Sequence, residues 1–202
     1  MRIAILTESS ADDAAVRIFA EAILGEKTEP VEFPIRARGW SSLQPLLPSL
    51  IRKLHYHSNA DGLVVVVDSN GTSVVETGPK NRLQSLCILI ETVTNGLTPV
   101  SGRTALKTAV GVASPAMEAW LLCKRFPNFN EGNWESGLKI KRDPYSKLEL
   151  KKLLYGTERP SLDPETRKMV EAARELSSDL QFLRKQFPKG FGSLHDQLTQ
   201  WR

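Results

Sequence analysis

The stretch Gly62–Asp68, which reads GLVVVVD, carries the strongest strand pattern of this chain. An unbroken β-branched run is typical of a central parallel strand that is covered on both faces. Shorter apolar runs at residues 2–7 and 108–113 predict two further strands. Residues 31–35 predict a fourth strand. It is expected to be short or at an edge, because Pro34 has no backbone N–H to donate to a neighbouring strand.

Helical patterns of crossover length lie between these strands. Residues 11–24 and 46–54 carry apolar side chains at helical spacing. A third helix is predicted over residues 79–95, with proline at its first position, and Ser114 and Pro115 predict the start of a fourth. This alternation predicts an α/β fold, a mainly parallel Rossmann-like sheet with helices on both faces.

The pattern of alternating strands and helices ends near residue 126. A loop-rich segment over residues 126–143 precedes helical patterns at residues 147–155, 163–187 and 192–201. The length of 202 residues is enough for one well-buried core. We therefore expect a single domain, in which residues 1–125 form the α/β core and residues 126–202 form a helical cap packed on it.

The composition excludes several classes of protein. Hydrophobic residues make up 41% and charged residues 25%, which is ordinary for a globular protein. No apolar run approaches the roughly 20 residues of a membrane helix, and the opening MRIAILTESS lacks a signal-peptide pattern. We expect a cytoplasmic protein without membrane contact. The net charge of +4 suits an acidic partner such as nucleic acid but does not require one.

Three acidic residues follow predicted strands. Glu8 follows the first, Asp68 ends the third, and Glu118 lies in the first turn of the helix after the fourth. Ligands of open α/β sheets bind outside the carboxyl ends of the strands. Clustered carboxylates favour a hard cation such as Mg²⁺ or Mn²⁺. The alternative is that Glu8 and Asp68 cap turns and Glu118 offsets its helix dipole.

Three segments resemble a TOPRIM-like family of small bacterial proteins of unknown function, often encoded beside AAA-type ATPases and related to the nuclease domain of OLD-family proteins. They read ILTESSADDAAVRIFAEAIL (residues 5–24), LVVVVDSNG (residues 63–71) and VGVASPAMEAWLL (residues 110–122). DPYSKLELKKLL (residues 143–154) and FPKGFGSLHDQL (residues 187–198) are similar to the family's lysine-rich and final helices. The likeness therefore spans most of the chain.

The resemblance implies a Mg²⁺-dependent nuclease or phosphodiesterase in antiviral defence or DNA maintenance. Glu8, Asp68 and Glu118 then stand at the family's catalytic and metal-binding positions. Asn70 replaces the second aspartate of an Asp-x-Asp motif and brings a carbonyl ligand without charge. Ser9 replaces the usual glycine. The implied partners are nucleic acid, with DNA favoured over RNA, and an AAA-type ATPase.

Other interpretations stay open. Loss of one carboxylate at Asn70 is also compatible with a non-catalytic subunit that binds nucleic acid or an ATPase. Lys80 and Arg82, near the loop after Asp68, are candidates for binding phosphate oxygens of nucleic acid. The basic stretch at residues 139–152 fits either a nucleic-acid face or a solvated helix surface.

Overall fold

The computed structural model describes residues 1–31 and 39–202. Within these residues the chain forms four strands and nine helices. In chain order they are β1 (Arg2–Leu6), α1 (Ser10–Leu24), β2 (Glu29–Pro30), α2 (Trp40–His57), β3 (Gly62–Asp68), α3 (Arg82–Asn95), β4 (Lys107–Ala113), α4 (Met117–Leu122), α5 (Glu131–Lys139), α6 (Lys147–Tyr155), α7 (Leu162–Ser177), α8 (Leu180–Gln186) and α9 (Gly190–Thr199).

The four strands form one sheet in the order β2-β1-β3-β4, and every neighbouring pair is parallel. The valine-rich β3 lies between β1 and β4, and its residues from Gly62 to Val67 are buried. The register sets Ile3 opposite Gly62 and Asp68 opposite Ala113. The predicted α/β fold with a parallel sheet is therefore confirmed.

Helices cover both faces of the sheet. On one face α1, α4, α7 and α9 enclose a core centred on aromatic side chains, where the ring centroids of Trp120 and Phe191 lie 5.2 Å apart. Phe19 meets Phe191 edge-on at 5.6 Å. On the other face α2 and α3 pack their leucine and isoleucine side chains against the valines of β3. In the C-terminal part, α7 packs against α1 and α9 against β4.

Local sequence explains the helix ends nearest the sheet edge. The Ser9 side chain accepts a hydrogen bond from the Asp12 amide and starts α1, which Gly25 ends at a φ of 74°. The Ser146 side chain caps α6 through the Glu149 amide. Helix α6 occupies residues 147–155 as predicted.

Two predicted helix starts are wrong. Helix α3 begins at Arg82, because the Asn81 side chain caps the Gln84 amide, and Pro79 lies in the preceding loop. Helix α4 begins at Met117 with Ala116 in the capping position, so Ser114 and Pro115 are not its cap and first residue. The bond between Ser114 and Pro115 is cis.

Three other predicted elements differ. The pattern at residues 163–187 forms α7 and α8 instead of one helix, because Asp179 caps the Phe182 amide and starts a new helix. The segment predicted as loop contains α5. Strand β2 lies just before the predicted strand at residues 31–35, of which only Val31 is among the described residues. In the part of the chain that is described, no helix has the length and apolarity to span a membrane.

Candidate functional site

The carboxyl ends of β1, β3 and β4 lie side by side and carry the predicted acidic residues. Asp68 is the last residue of β3, and its Oδ1 accepts a 3.0 Å hydrogen bond from the Met117 amide. That bond ties Asp68 to the turn that begins α4, where Glu118 follows Met117. Glu8 lies between β1 and α1. The parallel topology therefore brings these three positions to one edge of the sheet.

The carboxylates are close enough to influence each other electrostatically. Burial, followed by the charge of Asp68, raises the pKa of Glu8 above its usual range. The same two causes raise the pKa of Glu118 to about 7. The side chain of Glu118 is only 7% exposed, whereas those of Glu8 and Asp68 are 18% exposed. The edge therefore concentrates negative charge that water screens poorly.

A fourth carboxylate, Asp12, belongs to the same region. Burial, and then the charge of Asp68, raises its pKa well above the usual range, and Glu118 contributes in the same direction. The Ser9 hydroxyl donates a 2.9 Å hydrogen bond to Asp12 Oδ2. Asp12 was not predicted as a site residue, because an acidic residue in the first turn of a helix is common. Its place in the first turn of the helix that directly follows Glu8 is the signal that could have pointed to it.

Helix α6 supplies cations and a phenol to the carboxylates. Lys147 Nζ lies 2.6 Å from Asp68 Oδ2, and Lys151 Nζ lies 4.0 Å from Glu118 Oε1. The Tyr155 hydroxyl donates a 3.3 Å hydrogen bond to the same Glu118 oxygen. Lys147, Lys151 and Tyr155 are four residues apart and so share one face of the helix. This stretch was predicted to form a nucleic-acid face or a solvated helix surface, and its contact with the site was not predicted.

The two predicted phosphate ligands occupy different environments. The Arg82 side chain is 12% exposed. Its Nη1 donates a 2.6 Å hydrogen bond to the Asp68 carbonyl and lies 3.7 Å from Glu8 Oε1. Its guanidinium also lies 4.9 Å from the centroid of the Trp40 ring. Arg82 is thus a counter-ion inside the site, while Lys80 is exposed on the loop that precedes α3.

Asn70 lies on the exposed loop after Asp68. Its φ is 50°, a left-handed conformation that asparagine tolerates better than most residues. Its amide donates a 3.1 Å hydrogen bond to the Pro115 carbonyl and so joins the loops that follow β3 and β4. No hydrogen bond of the Asn70 side chain to a described residue is present, so its carbonyl oxygen is available to a ligand.

The site fits a metal ion in the chemistry of its donor atoms but not in the arrangement of its described side chains. Among residues 1–31 and 39–202, no group of three or more His, Cys, Asp or Glu side chains is positioned to hold a metal ion. The donor chemistry does fit, because Glu8 Oε1 is buried and has no hydrogen-bond donor among the described residues. The buried hydroxyls of Ser69 and Ser114, which follow β3 and β4, are similarly unsatisfied. Buried polar atoms of this kind are uncommon and call for an explanation.

The geometry combines hard oxygen ligands, a buried carboxyl group that titrates near neutral pH, and cationic side chains around them. Carboxylate and amide oxygens are the ligands that hard divalent cations prefer, and a carboxyl group with a raised pKa can exchange a proton with water. Comparison of the chain with protein-family models, with characterised proteins and with solved structures found no match.

Proposed function

We propose that this protein is a Mg²⁺- or Mn²⁺-dependent phosphodiester hydrolase that acts on nucleic acid, DNA in the first instance. The observation that carries the proposal is the group of carboxylates at one sheet edge, where burial and then the charge of Asp68 raise the pKa values of Glu8, Asp12 and Glu118. A dication would relieve this repulsion and would bind Glu8 Oε1 directly, an atom that lies 3.7 Å from Arg82 Nη1 and accepts no hydrogen bond from a described residue.

Asp68 and Glu118 are the proposed first ligands, since Mg²⁺ takes one or two carboxylates and keeps several waters. Asn70 would add its carbonyl oxygen from the loop after β3. Glu8, whose Oε1 lies near Arg82 but accepts no hydrogen bond from a described residue, would bind the cation or orient a water as general base. The bound metal would supply Lewis-acid polarisation of a phosphoryl oxygen.

The cationic side chains have a role in the same proposal. Arg82 and Lys151 lie beside Glu8 and Glu118 and would balance the charge of a bound phosphodiester. Lys80 is exposed two residues before Arg82 and would contact the nucleic acid farther from the cleaved bond. A TOPRIM-like relationship, a cytoplasmic location, an AAA-type ATPase partner and a role in antiviral defence or DNA maintenance belong to this proposal and rest on the sequence resemblance.

The test pairs metal binding with cleavage. Mn²⁺ at 100 times its Kd should stabilise the wild type by about 2.7 kcal/mol, and Asp68→Asn should abolish this stabilisation together with cleavage of single-stranded and duplex DNA. Glu91→Gln, an exposed glutamate on α3, is the matched control and should behave as wild type. Metal binding that survives in Asp68→Asn would contradict the assigned site, and intact DNA in the presence of bound metal would contradict the activity.

A second function is favoured by two ion pairs. Lys147 and Lys151 already pair with Asp68 and Glu118, so the site has internal cations without any metal. The protein would then be a non-catalytic subunit that binds nucleic acid or an ATPase. In the experiment above, this alternative predicts that Mn²⁺ leaves the wild-type melting temperature unchanged while DNA is bound but not cut.

A further inference from the structure

The ion pair between Lys147 and Asp68 is the shortest contact of a cation with the carboxylates of the site. Nζ and Oδ2 are 2.6 Å apart, which is typical of a strong charge-assisted hydrogen bond. The other oxygen of Asp68 accepts the Met117 amide. Both oxygens of this carboxylate are therefore engaged, one by a fixed backbone group and one by a flexible side chain.

A divalent cation that binds Asp68 has to compete with these two partners. The Met117 amide belongs to the turn that begins α4 and cannot leave Oδ1 without moving that helix. The Lys147 ammonium carries a full positive charge, which would repel a dication bound to the same carboxylate. Metal binding at Asp68 therefore favours a state in which the Lys147 ammonium has left Oδ2.

The structure leaves Lys147 free to make that move. It is the first residue of α6, and its side chain is 35% exposed. Four rotatable bonds let the ammonium reach solvent while the helix backbone stays in place. Lys151, one turn later, is 33% exposed but lies 4.0 Å from Glu118, a much looser contact. The two lysines therefore differ in how strongly each holds its carboxylate.

We propose that Lys147 is an internal counter-ion that competes with the divalent metal for Asp68 and so keeps the metal-free site closed. This inference rests on the proposed function, because it presumes a metal site at Asp68. Lys147 sets the metal concentration at which the site opens.

The test measures Mn²⁺ affinity by isothermal titration calorimetry on protein treated with a chelator and then dialysed. Lys147→Gln removes the competing charge and should lower the Kd for Mn²⁺ by about two- to fivefold, the scale of a partly exposed ion pair. Lys147→Arg keeps the charge and should stay near wild type. Lys151→Gln should have a smaller effect, and Lys152→Gln, exposed on the same helix without an ion pair to any described residue, should have none.

Each outcome decides the inference separately from the function. Equal Mn²⁺ affinity in wild type, Lys147→Gln and Lys147→Arg overturns the competition and leaves the metal site standing. Weaker binding in Lys147→Gln also overturns it, because Lys147 would then assist the metal. If Lys147→Gln binds Mn²⁺ and the other proteins do not, the result supports a wild-type site that Lys147 keeps closed. If every variant ignores Mn²⁺ while remaining folded by circular dichroism, both the metal site and the competition are refuted.

Discussion

Replacing Glu118 by glutamine should stabilise the protein at alkaline pH. Glu118 lies in the first turn of α4 with a side chain 7% exposed, and its charge is opposed by burial and by Asp68. Glutamine has the same shape as the protonated acid, and its carbonyl oxygen can still accept the hydrogen bond from the Tyr155 hydroxyl. The substitution therefore removes an unfavourable charge and retains the packing.

The magnitude follows from proton linkage. The pKa of Glu118 rises from 4.5 in the unfolded chain to about 7 in the folded protein. Between these values the folded state binds more protons than the unfolded state, so stability falls as the pH rises. The favourable contribution is complete below pH 4.5 and is lost as the pH passes about 7. At 1.36 kcal/mol per pKa unit the loss is on the order of 3 kcal/mol.

Urea unfolding followed by circular dichroism at pH 4.5, 6 and 8 measures this effect. Glu118→Gln and wild type should agree at the lowest pH and diverge at pH 8, where the variant is the more stable by on the order of 3 kcal/mol. Glu91→Gln, an exposed control on α3, should follow the wild-type curve throughout. A Glu118→Gln variant that is less stable than wild type at pH 8 would falsify the claim that this carboxylate is held against repulsion.

Three further predictions concern the stability of the fold and involve residues outside the site. Glu131 is 2% exposed and accepts the Lys189 and Gly190 amides, so Glu131→Ala should cost about 2–4 kcal/mol in urea unfolding, and an unchanged midpoint would show that these amides find other partners. A Cβ at Gly190 would collide with the Val112 carbonyl oxygen, so Gly190→Ala should lower the thermal midpoint sharply or prevent folding; normal expression and melting would refute the close packing of α9 on β4. Arg184→Ala breaks an exposed ion pair and should leave the urea midpoint at the wild-type value, whereas a clear loss would mean that the pair is stronger than its exposure suggests.

The sheet could be predicted from sequence because its signals are local. The buried run Gly62–Asp68 excludes most positions other than the centre of a parallel sheet, and the strands then fix which ends carry acidic residues. Glu8, Asp68 and Glu118 were therefore predictable as neighbours in space. The start of α3 could not be predicted, because Asn81 and Pro79 are both good helix-start residues. The choice between them depends on a side-chain hydrogen bond.

The break between α7 and α8 was missed for a related reason. The apolar stripe that fills α7 continues through Leu180 and Leu183, so the helical period alone predicts one long helix. Asp179 is a good N-cap, and its side chain starts a second helix through the Phe182 amide. The periodicity of a sequence identifies which face is buried, but it does not tell whether the chain turns between two segments that share that face.

The contribution of α6 to the site shows a further limit of sequence analysis. Its leucines Leu150 and Leu154 are buried, which is what the amphipathic pattern predicts. The charged stripe through Lys147 and Lys151 has the pattern of a solvated helix surface, and only the fold reveals that it lies against the carboxylates of Asp68 and Glu118. Because those carboxylates come from distant parts of the chain, neither partner carries a local signal of the other. A basic stripe in the C-terminal helices should therefore be weighed against unpaired acidic residues at the strand ends before it is assigned to solvent.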